Sequence, residues 1–261
     1  MFIESTGQLG YIPKKIISLV PSQTELLHYL GLEAETIAIT KFCVHPSTWF
    51  QNKMRIGGTK ALDIDKIKSL EPDLIIANKE ENVKDQIESL SELCPIWVTD
   101  VNNLEDANKM IQDIGTLTGK FAEALQLVSN IKKKFKDHLR DLNFNLPAAY
   151  LIWKDPYMTI GGDTFISSMM DHAGFENVYK AQERYPTIQI KDIKRSSAQV
   201  LLLSSEPYPF QQKHLEELHE LLPAIKIILV DGEIFSWYGS RLLMAPDYFE
   251  KLRNEFGNKA I

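Results

Sequence analysis

Short apolar runs of strand length constrain this chain more than any other feature of its sequence. They are IISLV (16–20), TIAIT (36–40), DLIIA (73–77), PIWVT (95–99), AYLIW (149–153), QVLLL (199–203) and IKIILV (225–230). A strand with one face in water alternates apolar and polar residues. A run that is apolar at nearly every position buries both faces, as in a parallel sheet covered by helices. Helical patterns lie between the runs. Thr24–Leu30 follows the cap-like Ser22 and stops before Gly31; Asp65–Leu70, Val83–Leu93 and Phe165–Ala173 behave similarly. Strands alternating with helices specify an α/β fold with right-handed crossovers.

An internal repeat organises these elements. IDKIKSLEPDLIIANKE (64–80) lies over IKDIKRSSAQVLLLSSE (190–206) without a gap, with Ile67 on Ile193, Lys68 on Lys194 and Glu80 on Glu206. KIISLVPS opens the first half as AAYLIWKDP opens the second. The expectation is two similar lobes with parallel sheets, one over residues 1–103 and one over 147–261. The segment 104–146 between them is different. Gly115 and Gly119 interrupt it, and an unbroken helical pattern then runs from Lys120 to Leu142. Phe121, Ala124, Leu125, Val128, Ile131, Phe135 and Leu139 fall on one stripe. A helix over about 120–142 is ~35 Å long. It is expected to hold the lobes at a nearly fixed separation, with a ligand cleft between them. In open α/β sheets ligands sit outside the carboxyl ends of the strands.

Composition narrows the function classes. The chain has 261 residues and a net charge of -6, which argues against nucleic acid. Lys and Arg are scattered, and the run IKKKFK (131–136) reads as a solvated helix face. No window holds the ~18 apolar residues of a membrane span. The amino-terminal stretch does not read as a signal peptide, because its apolar run Ile16–Val20 is short and leads into Pro21. That leaves a cytoplasmic protein, or one whose leader is absent from this sequence. Two cysteines, Cys43 and Cys94, build neither a disulfide framework nor a CxxC metal site, and reduced, partly buried thiols are expected.

The strand ends nominate contact residues. After the first run come Pro21 and Ser22 at a helix start, where free N–H groups face outward. KFCVHP follows the second run and offers Phe42, Cys43 and His45. RIGGTK adds Gly58, Thr59 and Lys60, without the spacing of a phosphate-binding loop. In the second half, WKDPY supplies Trp153 and Tyr157, ERYP supplies Tyr185, and EIFSWYGSR supplies Phe235, Trp237, Tyr238 and Arg241. Aromatic rings gathered at strand ends with a few polar groups suit an organic ligand. No GxSxG, HExxH or kinase set is present. The histidines do not cluster in sequence, His214 and Glu217 read as one solvated helix face, and Glu80-Glu81 reads as charged surface. No positioned base, metal set or cofactor motif is identifiable, so a binding protein is expected rather than an enzyme.

Taken together, KIISLVPSQTELLHYLGL, RIGGTKALDIDKIKSLEPDLIIA, YLIWKDPYMTIGGDTFISSMMDHAGFENVY and FSWYGSRL resemble the substrate-binding proteins of ABC importers. The resemblance is to the helical-backbone type that takes cobalamin, haem and ferric siderophores, and it looks closest to the cobalamin-binding members. It covers nearly the whole chain in order. It implies two Rossmann-like lobes joined by a rigid helix and a periplasmic location; a monomer is expected, capturing a chelate with little closure because the helix resists hinge motion. It also implies contact segments at Phe42–Pro46, Gly58–Lys60, Trp153–Tyr157, Tyr185–Thr187 and Phe235–Arg241. One acidic residue per lobe is implied to dock on a permease dimer, here Asp65 and Asp192. A corrinoid is the first expectation for the ligand, with haem or a ferric siderophore as the alternative. A cytoplasmic corrinoid carrier is a further reading, and a metal-cluster enzyme, which needs more cysteines, is a remote one.

Overall fold

A computed structural model describes residues 1–139 and 145–256. Two compact units are present. The first comprises Met1–Val101, Glu105–Ile131 and Tyr238–Arg241; the second comprises Asn102–Leu104, Lys132–Trp237 and Leu242–Ile261.

In the first unit the strands are β1 (Phe2–Ile3), β2 (Ile16–Ser18), β3 (Thr36–Ile39), β4 (Met54–Arg55), β5 (Gly57–Gly58), β6 (Ala61–Leu62), β7 (Leu74–Asn78) and β8 (Ile96–Thr99). The main sheet has the order β1-β8-β7-β2-β3-β4, and every pairing in it is parallel. β5 and β6 form a small antiparallel ribbon. Ile16, Ile17, Ile75 and Ile76 are all fully buried although they alternate sides, so both faces are covered. On one face Ile17, Ala38, Ile75 and Ile96 pack with Ile67, Ile87 and Leu90. The helices are α1 (Pro21–Tyr29), α2 (Ser47–Asn52), α3 (Ile64–Ser69), α4 (Lys84–Leu90), α5 (Leu104–Leu117) and α6 (Phe121–Leu139), α6 continuing into the second unit.

The second unit contains β9 (Leu146–Leu151), β10 (Phe175–Asn177), β11 (Val200–Ser204) and β12 (Lys226–Val230), in the order β10-β9-β11-β12, again all parallel. Its remaining helices are α7 (Phe165–Ala173), α8 (Ile190–Arg195), α9 (Gln212–Leu221), α10 (Gly232–Ser236) and α11 (Ala245–Asn254). Leu201, Leu203, Ile193 and Leu218 centre one core of this unit.

The internal repeat is structural. α3 and α8 begin at Ile64 and Ile190, and β7 and β11 begin at Leu74 and Val200, each pair aligned without a gap. Ile67 and Ile193, matched in the repeat, are both fully buried beneath their sheets.

The helical middle differs from its sequence pattern in two ways. Gly115 does not interrupt the chain; it lies inside α5. A Cβ on it would collide with Ala124 Cβ and come within 2.9 Å of Lys120 O, so it is the point where α5 and α6 pass closely. The break is at Gly119, whose φ of 72° favours glycine. The stripe of α6 is also rotated. Phe121 and Leu125 are exposed, and Leu127 is buried with Ala124, Val128, Ile131 and Phe135. The predicted positions 140–142, and the side chain of Leu139, fall outside the described residues.

Candidate ligand-binding site

Parallel pairing puts all strand carboxyl ends of a sheet on one edge, where the connecting loops offer side chains and free backbone groups. In the first unit that edge is formed by residues after β2, β3, β7 and β8. Pro21 is at the first position of α1, where its missing N–H costs nothing. Val20, not Ser22, is the N-cap residue; Ser22 is buried in the first turn. Phe42 is 50% exposed, with Lys41 Nζ 5.1 Å from its ring centre. A Cβ at Gly58 would lie 3.0 Å from the Phe42 ring, so a side chain there would displace it.

Cys43 corrects its sequence assignment. It is fully buried; its Sγ accepts from Thr24 Oγ1 at 3.1 Å and lies 3.2 Å from Thr40 Oγ1. Burial pushes the thiol pKa up, and the side chain presents no surface of its own. His45 is half-buried in its loop beside exposed Val44. Thr59 is buried and its carbonyl accepts from Asn82 Nδ2 at 3.2 Å. Lys60 is exposed and its ammonium donates to the Glu80 carbonyl.

Several groups on this edge carry no motif. Gln23 is fully buried and donates through Nε2 to Thr99 Oγ1 at 2.5 Å. Asn78 donates to Thr99 O at 3.0 Å, and its Oδ1 accepts the Glu80 and Glu81 N–H groups at 2.9 and 3.1 Å. Asn82 Oδ1 accepts the Asn78 N–H at 2.9 Å. This amide network fixes the turn after β7. The only sequence signal for it is two asparagines four apart in NKEEN after an apolar strand. Glu81, which the sequence pattern assigns to charged surface, is half-buried, and burial raises its carboxyl pKa.

The second unit's edge carries Trp153, which is 40% exposed with its ring centre 5.7 Å from Tyr208. Tyr157 is half-buried against the core, and Tyr185 is half-buried in a loop. Phe235 is a second correction. It is fully buried, 5.4 Å from Tyr150 and 5.0 Å from Phe249 between ring centres, so it belongs to the core. Trp237 is 6% exposed and donates from Nε1 to Glu206 Oε1 at 2.8 Å, an oxygen that also accepts from Ser236 Oγ at 2.6 Å. Glu206, the repeat partner of Glu80, is therefore the organiser of this loop.

Tyr238 and Arg241 are buried and pack with the first unit. Arg241 is a third correction. Instead of facing outward it makes a two-pronged ion pair with Glu25, Nε to Oε2 at 3.0 Å and Nη2 to Oε1 at 2.8 Å. Gly239, at φ 123°, lets the chain approach Ser22 O and Leu26 just before that arginine.

Asp65 is exposed at the start of α3. Asp192 is half-buried and accepts the Gln189 N–H at 2.9 Å at the start of α8. The histidines correct the sequence pattern in two places. His214 is buried, not solvated, and accepts the Gln211 N–H at 3.0 Å. His138 Nε2 lies 3.0 Å from His172 O and 2.7 Å from Arg253 Nη1, beside a cavity of about 280 Å³ lined by Lys134, Asp247 and Glu250. Among the described residues no three His, Cys, Asp or Glu groups converge as a metal site, and no helix is long and apolar enough to cross a membrane.

Known proteins share this architecture. A vitamin B12-binding protein of Vibrio vulnificus is 25% identical over 222 residues, covering 82% of this chain and 79% of its own. The periplasmic vitamin B12 binding protein BtuF of Vibrio cholerae superposes with a TM-score of 0.78 at 18% identity, over 92% of this chain and 98% of that one. A periplasmic heme binding protein of Pseudomonas aeruginosa superposes with a TM-score of 0.82 at 16% identity, over 96% of this chain and 95% of that one. The periplasmic binding protein model matches residues 16–226, most of the length, and the chain belongs to that family.

Proposed function

We propose that this chain is a substrate-binding protein that captures a metal chelate, cobalamin or a related corrinoid, and delivers it to the permease dimer of an ABC importer. The observation that carries this reading is the pair of carboxyl edges. Each unit presents one, and each keeps a large ring at the surface there, Phe42 in one and Trp153 in the other. A flat macrocycle is held by such rings through its faces, while backbone and amide groups meet its polar rim. The vitamin B12-binding relatives support the corrinoid. Asp65 and Asp192, at matching helix starts of the repeat, are proposed as the permease contacts. The protein acts as a periplasmic monomer without catalysis, and lobes at 1–103 and 147–261 are the proposed functional halves.

A second reading, haem or a ferric siderophore as cargo, is favoured by the heme-binding fold neighbour. Absorbance and calorimetric titrations with cyanocobalamin, haemin and a ferric siderophore separate the two. Saturable binding of the corrinoid supports the first reading. Absence of binding to all three at micromolar concentration refutes both.

A further inference from the structure

We propose that the polar edge of the first unit selects ligands with a neutral, amide-bearing periphery over ligands that carry carboxylates, and that Glu81 is the specificity-determining residue. This inference rests on the metal-chelate reading and sharpens it.

The cations of this edge already have partners. Arg241, the buried one, is neutralised by the two hydrogen bonds it donates to the Glu25 carboxylate. Lys79 pairs with Asp100 at 2.7 Å. The Lys60 ammonium sits on the Glu80 carbonyl, and Lys41 lies over the Phe42 ring. Glu81 is in the opposite condition. Its N–H is tied to Asn78 Oδ1 at 3.1 Å, which fixes the residue just past β7. Its half-buried carboxyl accepts no hydrogen bond among the described residues. Burial and the neighbouring Glu80 raise its pKa, and Lys60 opposes them.

A primary amide satisfies such a group in either protonation state. Its N–H donates to the carboxylate, and its carbonyl accepts from the protonated acid. A ligand carboxylate offers acceptors only and brings a like charge into a place where water is scarce. The amides that decorate a corrin ring fit this edge, and the propionates of a haem do not.

The test is calorimetry on the full chain near pH 8, with cyanocobalamin, its monocarboxylate derivative in which one side-chain amide is hydrolysed, and haemin. The expected result is binding of cyanocobalamin at least about tenfold tighter than the monocarboxylate, the scale of one like-charge contact. Glu81→Gln brings the two ligands within about threefold, and Glu81→Asp keeps most of the preference. Equal affinities in the unaltered protein, or a ratio unchanged by Glu81→Gln in a variant with an unaltered circular dichroism spectrum, overturn the inference. Haemin binding tighter than cyanocobalamin overturns it as well and leaves the metal-chelate reading standing. Binding of none of the ligands removes both.

Discussion

The ion pair between Glu25 and Arg241 joins residues far apart in sequence and ties the returning segment Tyr238–Arg241 to α1. Its worth follows from geometry. Two charge-assisted contacts at 2.8 and 3.0 Å join side chains that are 9% and 21% exposed. Charges about 4 Å apart at an effective dielectric near 20 attract by about 4 kcal/mol, and partial exposure of Glu25 and desolvation reduce the net. Removing one partner leaves the other poorly solvated, so Glu25→Gln and Arg241→Met should each cost about 2–4 kcal/mol. The double variant should cost less than the sum, with a coupling of about 2 kcal/mol. Urea unfolding followed by far-ultraviolet circular dichroism, with all variants compared at equal slope, measures it. A coupling under about 0.5 kcal/mol, the value of an exposed surface pair, refutes the reasoning. The segment would then be held by Gly239 and its apolar neighbours alone.

Three further outcomes are expected. Gly115→Ala gains about 1 kcal/mol of helix propensity but forces α5 and α6 apart at Ala124, so the melting temperature should fall; a rise removes the close approach. Trp237→Phe deletes the indole donor to Glu206 and should cost about 1–2 kcal/mol, an effect that a Glu206→Gln background should shrink in denaturant titrations. His138 and His172 are held below the ordinary imidazole pKa, both chiefly by burial, with Arg253 adding at His138 and His138 adding at His172. The unfolded chain therefore binds more protons below about pH 6.5, so stability is full above that value and falls as pH drops through the window beneath it. The hydrogen bond to the His172 carbonyl, then Glu250 and Asp247, partly offset this at His138. Thermal melts from pH 8 to pH 5 should show the fall, and His138→Gln should flatten it.

The fold was legible because its signal is local and repeated. Runs such as IIS, LIIAN and VLLLS are apolar on both faces, and every run singled out from sequence is a parallel strand. The repeat was legible for the same reason, since Ile67 and Ile193 fill equivalent positions. Short edge elements were not. β1, β4 and β10 are two or three residues long and take their pairing from a neighbour rather than from their own pattern. Gly115 misled because a glycine required by a close helix crossing has the same letter as one that ends a helix. Phase along α6 was lost because Phe121 and Leu125 are apolar yet exposed, which hydrophobicity alone cannot distinguish from buried.

The site is harder to read because the same residue type serves opposite ends. Phe235 and Trp153 both follow a strand, yet one ring fills the core against Tyr150 and Phe249 while the other stays 40% exposed. What separates them is the company each keeps in three dimensions. Arg241 shows this for charge: beside aromatic rings it reads as a ligand contact, and Glu25, more than two hundred residues away, takes up its guanidinium. Glu81 shows the reverse. In NKEEN it looks like one more surface acid, but the amides of Asn78 and Asn82 fold the turn so that its carboxyl is half-enclosed without a donor. In the specificity proposed for this edge, which charged residues the chain contains matters less than which of them the fold has already neutralised. That quantity is set by long-range pairing, so proteins sharing this family's strand pattern can differ in cargo while their apolar runs stay alike.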